Sequence, residues 1–150
     1  MELSLAVKIA VISSGIFLWT GMLTGTWKYW QIRHSEKARA HYYVDIAHRA
    51  SLMYSSATLV LAVLAYFSVW SPMINVLLVL GNVVFFGLAI LSYILHGFLQ
   101  DTTNQLRVPH QVSKWHLPKI LMTLFMSGLI VAELGCTLAL LIGATQGLLV

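Results

Sequence analysis

The chain has 150 residues, of which 59% are hydrophobic and only 9% charged. A soluble domain carries about a quarter charged residues, so the composition excludes a water-soluble globule. The net charge of +4 is small and dispersed, and it reads as a topology signal rather than a surface for nucleic acid.

A membrane span needs about 20 mainly apolar residues. Four stretches meet that: Leu5–Trp27, Ala47–Trp70, Met73–Leu99 and Leu117–Leu141. They consume most of the chain, which predicts a single all-α membrane domain over residues 1–150. The expected fold is an antiparallel four-transmembrane-helix bundle.

The first span has only Glu2 and Lys8 near its start and no small-residue cleavage pattern after it, so it is expected to be retained. Trp27, Tyr29 and Trp30 form an interfacial belt at its far end, and Gly21 and Gly25 share a face that another backbone could approach. Gln31 to Ala40 is the first polar connection, without Pro or Gly. Lys28, Arg33, Lys37, Arg39 and Arg49 lie in or beside it, and Arg107, Lys114 and Lys119 lie in or beside the third. The positive-inside rule then puts both polar connections in the cytoplasm and both termini outside, as in a bacterial inner membrane.

The second helix is expected to start near Asp45, as N-cap or first-turn carboxylate, with Ser51, Ser55 and Thr58 as a small polar stripe. Ser68–Pro72 reads as a tight turn, with Pro72 starting the third helix and Gly97 near its end. The second polar connection, Asp101 to His116, is broken by Pro109. The fourth helix carries two small-residue ladders, Gly128/Ala132/Cys136 and Gly135/Ala139/Gly143. A lone cysteine forms no intrachain disulfide.

The chemistry-bearing residues gather between Arg39 and Ser56 and near His96. All six histidines lie on the cytoplasmic half. His34, His110 and His116 fit interface anchoring. His48 and His96 sit on hydrophobic helices near their cytoplasmic ends, at matched depth if the second and third helices form a hairpin. They would bracket a haem iron, or one would ligate while the other meets a substrate or propionate. The alternative is helix-end histidines hydrogen-bonded to Asp45, Asp101 or loop carbonyls.

Ser92 and Tyr93 share a face with His96, and Tyr54 is turned off the line of His48. His41 is too far along the helix to share a metal ion with His48, though either could approach a macrocycle. Asp45 would orient one imidazole, and a mixed Asp–His metal site is a minor alternative. Arg49 would pair with Asp45 or a propionate. Asn82 is a helix–helix hydrogen bond or a pocket floor. Glu133, the one carboxylate deep in a span, is a proton carrier or a staple to Ser, Thr or Asn82.

The Arg-Ala-His of Arg39–His41 and the Ala-His-Arg-Ala of Ala47–Ala50 resemble the Ala-His opening of the second helix in the styrene oxide isomerase family. The four-span layout, Asn-Val-Val-Phe-Phe at Asn82–Phe86 and Asn104-Gln105 add to the resemblance. It implies a trimeric membrane isomerase whose haem b acts as a Lewis acid, opening small hydrophobic epoxides to carbonyl compounds. The length of the second helix aligns His48 with the haem ligand, and Arg-Ala-His aligns His41. Tyr54 then stands where the family has asparagine, and Phe86 where it has tyrosine.

The resulting site has Tyr54, Tyr93 and Asp45 as candidate catalytic groups. His48, His96, Arg49, His41, Asn82 and Phe86 are the candidate cofactor contacts, with His48 on the iron and His96 a candidate second ligand. Expected partners are membrane lipid, a small hydrophobic ligand and copies of the chain. Two other functions fit the sequence: a non-catalytic subunit of a respiratory or oxidase-type membrane complex, motivated by the small-residue ladders, and a small transporter, motivated by Glu133 and Asn82.

Overall fold

A computed structural model describes residues 2–149. Among them are four long helices, α1 (Leu5–His34), α2 (Tyr42–Phe67), α3 (Pro72–Leu99) and α4 (Lys119–Leu149). Each is long and apolar enough to cross a membrane. α1 runs 30 residues, about 45 Å, longer than a hydrocarbon core of about 30 Å.

The helix ends follow local chemistry. Ser4 caps α1, its side chain accepting the Val7 N–H. Arg33 and His34 close the other end, where cations suit the helix dipole. Ser71 caps α3 with Pro72 in its first turn. α3 continues past Gly97 to Leu99, and Gln100 ends it in the left-handed conformation at φ 50°.

At the start of α2 the second of the two expectations for Asp45 holds. It is a first-turn carboxylate, and the N-cap is His41, whose Nδ1 accepts the Tyr43 N–H. A neutral imidazole nitrogen serves as acceptor there as an aspartate oxygen would. The second polar connection also holds an unforeseen element, a small antiparallel hairpin of β1 (His110–Val112) and β2 (Trp115–Leu117). Three-residue strands are too short to leave a periodic signal.

α1 packs most extensively on α2, and α2 next on α3. The α1–α2 seam is built from small residues, Ala6, Ala10, Ser14 and Gly21 against Ser51, Ser55, Thr58 and Ala62, all buried. Small side chains let two backbones approach where lipid supplies no hydrophobic drive. Ser14 Oγ donates to the Ser55 carbonyl at 2.9 Å across this seam. On the far side, the turn between α2 and α3 grips α4: Trp70 Nε1 donates to the Ala139 carbonyl at 2.8 Å, and Val69 N–H to that of Gly143. The α4 ladders serve this packing unevenly. Cys136 lies against Gly81, while Gly135 has open space around it. Most of α4 remains uncovered by the rest of the chain, with Leu124, Val131, Leu134 and Leu138 all exposed.

Candidate functional site

Two histidine sites form at one end of the molecule, and each is made by different neighbours. The first lies in the α1–α2 seam. His48 turns toward α1, where its Nδ1 meets the Gly21 carbonyl oxygen at 2.8 Å. A carbonyl only accepts, so Nδ1 carries the proton and Nε2 keeps its lone pair. Gly25 makes room for the ring: a Cβ there would stand 2.8 Å from His48 Cε1 and 2.9 Å from Nδ1. The glycine pair singled out by spacing thus seats a functional side chain as well as a backbone. Gly25→Ala is expected to push the imidazole off the Gly21 carbonyl. Its measurable consequence is a loss of about 10- to 100-fold in affinity for any metal held by Nε2, the usual effect of removing an orienting partner.

Asp45 does not orient an imidazole, correcting that expectation. Its carboxylate is occupied by Lys28 Nζ at 2.5 Å and Arg49 Nε at 3.0 Å, which also settles Arg49 on Asp45. The cause is reach: Lys28 on α1 faces the first turn of α2 directly. His41, as the N-cap, is held through its own N–H by Gln31 Oε1 at 2.8 Å. Burial holds the His41 imidazole below its ordinary pKa; the nearby Asp101 charge opposes this, and a protonated His96 would add to it.

The second site lies at the end of α3, beneath the hairpin. His96 Nδ1 pairs with Asp101 Oδ1 at 2.8 Å, and the two side chains are 4% and 6% exposed. Asp101 Oδ2 accepts the Ser113 N–H at 2.5 Å, tying the hairpin turn to the helix end. Burial alone would push the Asp101 carboxyl up, yet the hydrogen bonds from His96 and Ser113 outweigh it and hold the group below its ordinary range.

Beside this pair lies a second hydrogen-bonded group. Ser92 Oγ donates to Gln105 Oε1 at 2.6 Å. The Gln105 N–H donates to Tyr43 Oη at 2.5 Å, and the Gln105 carbonyl meets His110 Nδ1 at 3.1 Å. The Tyr43 ring lies 5.1 Å from that of His96 and stacks on Tyr93 at 6.0 Å.

His96 and Ser92 also line a cavity of about 430 Å³ between α3, the hairpin and α4. Its walls are otherwise apolar, with Leu88, Leu95, Leu121, Met122 and Phe125 prominent, and Gln105 joins the polar end. His48 is not part of that wall. The expectation that His48 and His96 bracket one iron is therefore corrected. His48 belongs to the α1–α2 seam and His96 to the α3–hairpin–α4 cavity. The cause is rotational: Tyr43, which covers His96, is five residues before His48 and so lies well round the helix from it. His96 makes the hydrogen bond to Asp101 weighed as the alternative, while His48 bonds to a helix carbonyl, that of Gly21, rather than to a loop carbonyl or Asp45.

Deeper in the bundle, Tyr54 stacks on Phe86 with ring centroids 4.3 Å apart. Asn82 is fully buried and ties α3 to α4, its Oδ1 accepting from Thr137 Oγ1 at 2.9 Å. It acts as the helix–helix hydrogen bond. Glu133 is no staple to Asn82; its buried Oε1 makes no hydrogen bond to the protein. Among the described residues no three His, Cys, Asp or Glu side chains gather around one point, which removes the mixed Asp–His ion site.

No family model, curated protein or solved structure matches this chain. The reading of function therefore rests on the two sites themselves. Sequence reasoning had placed Tyr93, Ser92 and His96 on one face, which the structure bears out. It missed Tyr43, Ser113 and the bonding of Gln105 and His110. Their signal was weak, because the loop that carries four of the partners has no periodicity to read.

Proposed function

We propose that this chain is a haem b-binding membrane protein in which His48 is the iron's one protein ligand. The supporting observation is the hydrogen bond from His48 Nδ1 to the Gly21 carbonyl, with Gly25 clearing the ring. Metal-ligating histidines almost always donate their second N–H in this way, which fixes the tautomer and turns Nε2 into the ligand. His48 is half-buried in the α1–α2 seam.

His96 serves a separate cavity, which leaves the iron with a single protein ligand. Bound haem b would supply a Lewis-acidic iron with a free coordination position, suited to opening a small hydrophobic epoxide to a carbonyl compound. Tyr54, stacked on Phe86, keeps one phenol at the helix pair where the resembled family has asparagine and tyrosine. The proposal includes an antiparallel bundle in a bacterial inner membrane, with polar connections cytoplasmic and termini outside.

Protein purified after expression with ample haem should show a Soret band and a high-spin ferric EPR signal. Absence of the band removes the reading. A low-spin bis-histidine signal would remove the single-ligand form of it.

The uncovered face of α4 favours one further reading, that the chain works within an assembly of its own copies, a trimer by resemblance, or as a subunit of a larger membrane complex. A stable independent oligomer in detergent supports the former. Copurification with other chains, and loss of stability without them, supports the latter.

A further inference from the structure

The cavity beneath the hairpin is unlike a packing defect between helices. Its volume of about 430 Å³ falls in the range of small-molecule pockets. Its polar residues, His96, Ser92 and Gln105, sit together at one end, Ser92 bonded to Gln105 and His96 to Asp101, and the remaining wall is apolar. A gap that only admits a lipid tail would require no buried histidine–aspartate pair at one end.

The polarity of that end is specific. The Asp101 carboxylate accepts a hydrogen bond from His96 Nδ1–H, so in the neutral imidazole Nε2 is the lone-pair nitrogen. Ser92 spends its own proton on Gln105 Oε1, so its oxygen also has only lone pairs to offer. Both groups accept.

We propose that this cavity binds a small apolar molecule bearing one hydroxyl, an alcohol or phenol, whose O–H donates to the His96 Nε2 and Ser92 end while its hydrocarbon body lies against Leu95, Leu121 and Phe125. Asp101 is a positioning residue, because it sets the tautomer without touching the ligand. The site is independent of His48 and of any haem there.

The test uses the full chain in detergent or lipid nanodiscs, titrated calorimetrically with 4-butylphenol, 4-butylanisole and butylbenzene. The phenol should bind saturably, one per chain. The anisole, which keeps the oxygen but lacks the proton, should bind about tenfold or more weakly, the scale of one lost hydrogen bond. Leu121→Trp should abolish binding by filling the cavity without touching the polar cluster. His96→Phe should erase the preference for phenol over anisole.

Equal binding of phenol and anisole, both lost in Leu121→Trp, would overturn the hydroxyl specificity and leave an apolar gap for lipid tails. Binding unaffected by Leu121→Trp, or no saturable binding at all, would overturn the site. His48→Ala should leave the phenol preference intact, so failure here and failure of the haem reading are separate results. Loss of that preference in His48→Ala would overturn the independence of the two sites.

Discussion

His48→Ala, produced beside the parent protein with ample haem supply, is expected to lose the Soret band. Haem retention should fall at least about tenfold, since even an orienting partner of a metal ligand is worth 10- to 100-fold and the ligand itself is worth more. The substitution removes the Nε2 donor and the hydrogen bond to the Gly21 carbonyl together. That carbonyl already belongs to the α1 helix, so it is not stranded and the fold should persist. The Thr24 hydroxyl also donates to the Gly21 oxygen, at 3.1 Å. Circular dichroism should therefore show an unchanged helix content while the absorption disappears. His96→Phe provides the contrast, because His96 faces another space, and it should keep the band. Full haem in His48→Ala, or loss of haem in His96→Phe with His48 intact, would transfer the ligand and refute the assignment.

Asp101→Ala is expected to loosen the β1–β2 hairpin while the four helices stay formed. The carboxylate joins three pieces of chain: its own helix-end loop, His96 on α3 and the Ser113 turn. Removing the carboxylate leaves the buried His96 N–H without its acceptor and frees the Ser113 N–H, which costs about 3 kcal/mol. That corresponds to about a hundredfold faster amide exchange by local opening at Ser113 and Gln105.

Acid should act on the same contact in the parent protein. The folded pKa of Asp101 lies below its ordinary value of 3.8, so the contribution to stability is fully present above that value. It is lost as pH falls through the folded pKa. Protection of the hairpin should thus persist down to pH 3.8 and fail below it, and Asp101→Ala should lack this acid step. Equal exchange in both proteins at neutral pH would show that the hairpin is held by something else.

Helix number and the apolar length of each helix were legible because a membrane imposes lengths that a linear pattern carries. The Ser51, Ser55 and Thr58 stripe and the Gly21/Gly25 pair were legible as small-residue faces, but that they meet in one α1–α2 seam was not. The partnership of the histidines was not legible. Matched depth along two helices says nothing about azimuth, and His48 and His96 differ in azimuth. Asp45 illustrates the same limit: its sequence distance to His41 and His48 was right for a contact, but Lys28, 17 positions earlier, is nearer in space.

By itself the sequence determined that the chain is membrane-suited, how many apolar helices it has, and which polar residues collect near their ends. These follow from periodicity and from the cost of charge in lipid, which act locally along the chain. Only the tertiary structure decided that His48 is clamped to α1, that His96 is clamped to Asp101 beneath a hairpin, and that a cavity opens beside the second of them. Those outcomes depend on how helices are rotated about their axes and on where an aperiodic loop folds back, and neither is written in any one segment.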